Sequence, residues 1–180
     1  QGSVSAFLLL ALPVGWLLWL YPWQHLLAPT TVAGGDMASL YYPTVLLRDE
    51  ILSRWRVTGW TAGNYAGFPV FHFYSTAPFV AIAMLGKLLP MQQVFKVFTL
   101  LGPTLLPISA FYLFRTMGYG LVGRTAAAAS VLPFLVQQGN SMWGGNIPSV
   151  LAGEFCHALG LSLSFIFLGT LNRVRDGRRT

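Results

Sequence analysis

Charge is what this sequence has least of. Of its 180 residues, 11 are Lys or Arg and 5 are Asp or Glu, together 9% of the chain. Soluble domains carry about 25%, so a soluble chain of this size could not cover its surface. Disorder is excluded from the other side, because 54% of the residues are hydrophobic. Cysteine is equally scarce: Cys156 stands alone, which excludes a disulfide framework within the chain. There is no Ser–His–Asp set, no phosphate-binding glycine loop, no CxxC and no zinc spacing. His25 and Cys156 belong to no constellation and read as structural. What is abundant is aromatic and glycine content, with 13 Phe, 7 Tyr, 6 Trp and 19 Gly. These absences together define an integral membrane protein.

The net charge of +6 would suggest nucleic acid in a soluble protein. Here it does not, because Arg173, Arg175, Arg178 and Arg179 crowd the end of the chain after an apolar stretch. A basic tail of that kind marks a cytoplasmic helix end. The chain begins at Gln1 and stops just after this basic run, so the remaining part of a longer polypeptide is expected beyond it.

No charge occurs from Gln1 to Gly35, and residues 4–23 are almost purely apolar. About 20 helical residues cross about 30 Å of hydrocarbon, which predicts a first span. Trp16, Trp19, Tyr21 and Trp23 form its interfacial belt; a signal peptide would want a basic leading region, absent here. Lys96 and Arg115 bracket a second span at 97–114, kinked by Pro103 and Pro107. A third is predicted at 120–138 and a fourth at 150–171. Residues 76–89 are apolar but short and carry Lys87, as in an interfacial or re-entrant segment. If they do not cross, the Arg115/Arg124 loop and the arginine tail share one side, as the positive-inside rule prefers. The reading is therefore all-α: a polytopic transmembrane helix bundle with its N-terminus cytoplasmic. Residues 24–95 form a long first outer loop and 139–149 a second. Within the first, apolar positions with one helical periodicity predict an amphipathic helix at 43–55 lying on the membrane, opened by Pro43 and supported by a Glu50–Arg54 pair.

Few residues can carry chemistry. Asp36 follows Gly34-Gly35 and is the first charge in the chain. It is a candidate base, metal ligand or substrate anchor, or else the N-cap of the next helix. Glu154 is placed one turn into the fourth span, where a carboxylate is costly and functional by default. His157 lies three residues on, on the same face; the two could share a metal or a hydrogen bond. Asp36 and Glu154 are expected at similar membrane depth, facing one outer cavity. The stretch from Trp60 to Tyr74, with Asn64, His72 and Tyr74, is rich in glycine and aromatics. It reads either as a polar–apolar substrate cleft or as an interfacial aromatic belt.

Three segments carry a family resemblance: Gly34-Gly35-Asp36; Gly63 through Pro78; and Trp143-Gly144-Gly145-Asn146 followed by Gly153-Glu154-Phe155. Over roughly residues 30–172 they resemble polytopic bacterial membrane proteins of the GT-C glycosyltransferase type. The nearest likeness is to bacterial membrane proteins labelled as related to 6-pyruvoyl-tetrahydropterin synthase. The resemblance implies a bacterial inner-membrane location, a polyprenyl-phosphate-linked sugar donor and, in some members, a divalent metal. It implies catalytic roles for Asp36, which would also be the metal-linked acid, and for Glu154. Substrate contacts would come from Asn64, His72, Tyr74, Trp143, Asn146 and His157. A single acid follows Gly35, where the family pattern would allow an Asp-x-Asp pair. The competing function is a non-catalytic membrane subunit for transport or assembly; the near absence of polar residues in spans one to three disfavours an ion pathway.

Overall fold

A computed structural model describes residues 2–63 and 65–177. The chain is 69% helix and 3% strand, and it divides into two compact units.

The first unit comprises Gln1–Pro22, Leu100–Val150 and Glu154–Thr180. Its helices are α1 (Gly2–Leu20), the main part of α5 (Met91–Thr116), α6 (Leu121–Val136), the short α7 (Ile147–Ser149) and α8 (Phe155–Arg175). Small residues set the spacing between α5 and α8. A methyl added at Gly102 would lie 2.5 Å from the Leu159 nitrogen, and one at Gly169 would lie 2.7 Å from the Tyr112 ring. Such close approach replaces the hydrophobic drive that lipid cannot provide. Ser162 donates to the Gly102 carbonyl at 2.8 Å, and Asn172 donates to that of Thr116 at 2.7 Å. Contacts at 102/158, 112/169 and 116/172 advance together along both helices, so α5 and α8 run parallel. Near the C-terminal end of α1, Tyr21 hydrogen-bonds Thr104 at 3.0 Å, and α1 packs on α6.

The second unit comprises Trp23–Thr99 and Leu151–Gly153. It holds α2 (Trp23–Leu26), α3 (Met37–Leu46), a hairpin of β1 (Gly59–Thr61) and β2 (Phe68–Val70), and α4 (Thr76–Leu85). The expected helix at 43–55 begins earlier than the sequence suggested. Pro43 lies inside α3, and the helix passes into a π-helical turn over Leu47–Ile51 and a 3-10 turn over Leu52–Arg54. Trp55 ends it with φ 55°. Leu47 and Ile51 are buried, and α4, which buries Phe79, Ile82 and Ala83, packs against this turn. The wider π register moves Glu50 out of i,i+4 step with Arg54. Among the described residues Glu50 and Arg54 form no ion pair; Arg48 instead clasps its neighbour Asp49 through Nε at 2.6 Å and Nη2 at 2.8 Å.

Three other boundaries differ from expectation. Helix α4 has ten residues, about 15 Å of rise, half the hydrocarbon thickness. Helix α5 starts at Met91, so Lys96 lies inside it and is 7% exposed. Its ammonium donates to the His25 and Ala28 carbonyls, both at 2.7 Å, and to Thr30 Oγ1 at 3.3 Å. The fourth predicted span is interrupted at Gly153, whose φ is 127°. Glu154 is therefore the residue before α8 and not one turn inside it.

Candidate functional site

The second unit carries a cavity of about 440 Å³ lined by Asp36, Ser39, Leu40, Tyr42, Pro43, Thr61, Phe68, Phe71 and Tyr74. The α3 contribution follows helical spacing: 36, 39, 40 and 43 fall at i, i+3, i+4 and i+7, one face of the helix. Thr61 and Phe68 are directly opposed across the hairpin, so they project from one face of it. Phe71, at φ 57°, sits 4.8 Å from Phe79 between ring centroids, and Tyr74 sits 5.7 Å from the same ring. Buried Phe79 thus anchors the aromatic wall.

Asp36 is held at the cavity by backbone. Its N–H donates to the Ala152 carbonyl at 2.7 Å. Gly35 has φ 49°, and a methyl there would fall 2.1 Å from the Ala152 oxygen. On the other side, a methyl at Gly153 would fall 3.0 Å from Asp36 Cβ. Both contacts need glycine, for closeness and for the left-handed backbone. The glycine turn before α3 therefore docks on the Ala152–Gly153 break. Although Asp36 occupies the N-cap position, its carboxylate makes no capping bond and is exposed. Among the described residues, no lysine or arginine lines this cavity.

In the first unit, Glu154 and His157 converge on Gly144. A methyl at Gly144, whose φ is 83°, would lie 3.1 Å from Glu154 Oε2 and 2.8 Å from His157 Cδ2. Glu154 is half-buried and His157 exposed. Asn146 is fully buried and committed to its own loop. It donates to the Gln137 and Asn140 carbonyls, both at 2.8 Å, and accepts from the Ser149 N–H and hydroxyl. This bonding caps α7 and leaves neither amide hydrogen for a ligand, so the structure makes Asn146 a loop organiser. Trp143 is exposed beside it.

Of the residues expected in a site, Asp36 and Tyr74 meet at one cavity, and Glu154 meets His157 at Gly144. His72 is exposed outside the cavity lining, with Nδ1 3.3 Å from the Val70 carbonyl. Asn64 lies outside the described residues. Thr61, Phe68 and Phe71 fall in the 60–74 stretch read as a candidate cleft, though none was singled out there; Ser39 and Tyr42 were not anticipated, and they sit on the first two turns after Asp36, which spacing could have shown. Among the described residues no three His, Cys, Asp or Glu side chains cluster, so a divalent ion at this cavity would rest on the Asp36 carboxylate, with water and substrate oxygens completing its shell.

Local bonding removes two of the cations between residues 24 and 96 from binding. Lys96 spends its hydrogens on the His25 and Ala28 carbonyls and the Thr30 hydroxyl. The Arg48 guanidinium holds the Asp49 carboxyl below the usual range by hydrogen bonding, with Lys87 adding a smaller pull. Arg54, Arg56 and Lys87 are exposed, and none of them forms an ion pair among the described residues.

A mostly helical chain with two helical runs, Met91–Thr116 and Ile147–Arg175 (the second kinked at Gly153), long and apolar enough to cross a bilayer has the make-up of a helical membrane protein. Residues 71–180 match the family described as the 6-pyruvoyl-tetrahydropterin synthase related domain, a membrane protein, and the chain belongs to that family. No curated protein and no solved structure matches it. The matched range holds Tyr74, Glu154 and His157, and Asp36 precedes it.

Proposed function

We propose that this chain forms part of a membrane-embedded glycosyltransferase of the GT-C type, moving a sugar from a polyprenyl-phosphate donor at the outer face of the bacterial inner membrane. The observation that carries this reading is the Asp36 cavity. An uncapped carboxylate stands there beside hydroxyl-bearing Ser39, Tyr42, Thr61 and Tyr74, with Phe68 and Phe71 completing the wall. Hydroxyl donors, one carboxylate and aromatic faces are what a sugar ring needs: hydrogen bonds for its hydroxyls and stacking for its C–H face. The volume, about 440 Å³, lies in the usual range of small-molecule sites.

In this mechanism Asp36 accepts the proton of an acceptor hydroxyl as that oxygen attacks the anomeric carbon and the bond to the donor phosphate breaks. The phosphate leaves with the bonding electrons, and an exposed cation outside the cavity, Lys87 on this reading, meets its charge. The parallel course of α5 and α8 suits a 24–95 stretch that stays on one side of the membrane, and the positive-inside rule puts the N-terminus inside. The test is transfer from a polyprenyl-phosphate sugar by the membrane-reconstituted protein and its Asp36→Asn variant. Loss of transfer with unchanged folding is expected. Undiminished transfer would remove Asp36 from the mechanism.

A further inference from the structure

The hairpin has two faces, and only one of them is used by the cavity. Thr61 and Phe68 line the cavity, and Val70, two residues along from Phe68 and so on the same face, is fully buried. Trp60 is paired with Pro69 and so projects from the opposite face. Trp60 is 67% exposed yet held in place: a methyl at Gly67 would lie 2.4 Å from its indole Cζ2. Around this ordered ring the same segment exposes Trp55 (98%), Tyr65 (108%) and Phe73 (90%). Trp55 is flanked by exposed Arg54 and Arg56. Gly59 packs on Ile51, with its added methyl 3.0 Å from Ile51 Cδ1, and the Arg56 N–H donates to the Ile51 carbonyl at 3.3 Å. The arginines and the hairpin therefore spring from one buried anchor.

We infer that the outer side of the segment 54–73 is a docking surface for anionic phospholipid headgroups, and that the bilayer interface thereby holds one wall of the Asp36 cavity in place. Indole and phenol rings have an apolar body and a polar tip, the combination that partitions to the headgroup level. Arginine adds planar, multidentate donors suited to phosphate. An aqueous surface would not need three nearly fully exposed aromatic rings beside two guanidinium groups that form no ion pair among the described residues. A lipid surface satisfies both at once, and it fits a chain that belongs to a membrane-protein family. The inference does not depend on sugar transfer. It assigns Arg54 and Arg56 to bulk phospholipid, which is why Lys87 is left for a donor phosphate.

The experiment uses the full chain in vesicles, with an environment-sensitive fluorophore on Tyr65→Cys in a Cys156→Ser background; Phe73→Cys serves as a second reporter should the first disturb the hairpin. Quenching by headgroup spin-labelled lipid is compared in phosphatidylcholine and in phosphatidylcholine with phosphatidylglycerol. Each cation near an anionic surface changes occupancy by about fivefold at most. Quenching is expected to rise about threefold or more with the anionic lipid, and Arg54→Gln/Arg56→Gln is expected to return it to the neutral-lipid value. Full accessibility to aqueous iodide with no lipid quenching overturns the surface. Quenching indifferent to lipid charge overturns the headgroup assignment. So does recovery of strong quenching in neutral vesicles on adding a polyprenyl phosphate, which would make this a prenyl-phosphate site.

Discussion

Replacing Gly35 by alanine tests whether the glycine turn is what holds Asp36 at its cavity. Three costs add at this position. A left-handed backbone, here φ 49°, costs a non-glycine residue about 1–2 kcal/mol. The new methyl would stand 2.1 Å from the Ala152 carbonyl oxygen, and relieving an overpacked contact of that kind costs about 1–3 kcal/mol. The most direct relief draws Gly35 away from Ala152 and breaks the Asp36 N–H bond to that carbonyl, 2.7 Å in length, worth about 1 kcal/mol. The turn should therefore loosen by about 3–6 kcal/mol in total. Gly34 supplies the control. Its φ is 101°, but nothing lies within 4 Å of a methyl there, so Gly34→Ala carries only backbone strain of about 1–3 kcal/mol. Hydrogen exchange of the Asp36 amide, followed by mass spectrometry on a peptide covering residues 34–46, reads the difference. An excess of about 2 kcal/mol for Gly35→Ala corresponds to roughly 30-fold faster exchange than in Gly34→Ala. Equal exchange in the two variants would refute the docking of this turn on Ala152.

Lys96→Met should lower the thermal unfolding temperature by several degrees, because three oxygens lose their donor and each unsatisfied group costs about 1–3 kcal/mol; an unchanged transition would show that the 25–30 segment is held some other way. Asn146→Ala should loosen residues 137–149 by about 2–4 kcal/mol, through loss of two donated bonds and the α7 cap, seen as faster proteolysis in that loop with Asp36-dependent behaviour unchanged. The Arg48–Asp49 pair gives a pH dependence. Asp49 has a depressed folded pKa, so its contribution is present above the ordinary carboxylate value of about 3.9 and fades as pH falls through the lower folded value. Asp49→Asn should accordingly cost stability at pH 7 and little at pH 2. Both carboxylate and guanidinium are partly exposed, so the difference stays below about 1 kcal/mol. A difference that grows on acidification would contradict the pair.

Composition alone settled the environment of this chain. A sequence with 9% charge and long apolar runs has too few polar groups to face water, and backbone groups in hydrocarbon must bond within their own segment. That is why helices at 2–20, 91–116 and 121–136 were legible. The last apolar run was legible as a helix but not as a broken one, because φ 127° at Gly153 is decided by the approach of Asp36. Pro43 misled for a related reason: helix α3 starts where Gly34-Gly35 docks, six residues before the proline. The hairpin was invisible because strands of three residues are too short to show alternation. Asp36 was identifiable as the one acid after a glycine pair. Its partners Thr61, Phe68 and Phe71 come from 25 or more residues away, and only pairing across the hairpin and packing on Phe79 bring them to it. The sequence also could not tell a free cation from a spent one. Lys96 and Arg54 look alike in a one-dimensional string, and it is the carbonyls of His25 and Ala28, folded against α5, that make one structural and leave the other exposed.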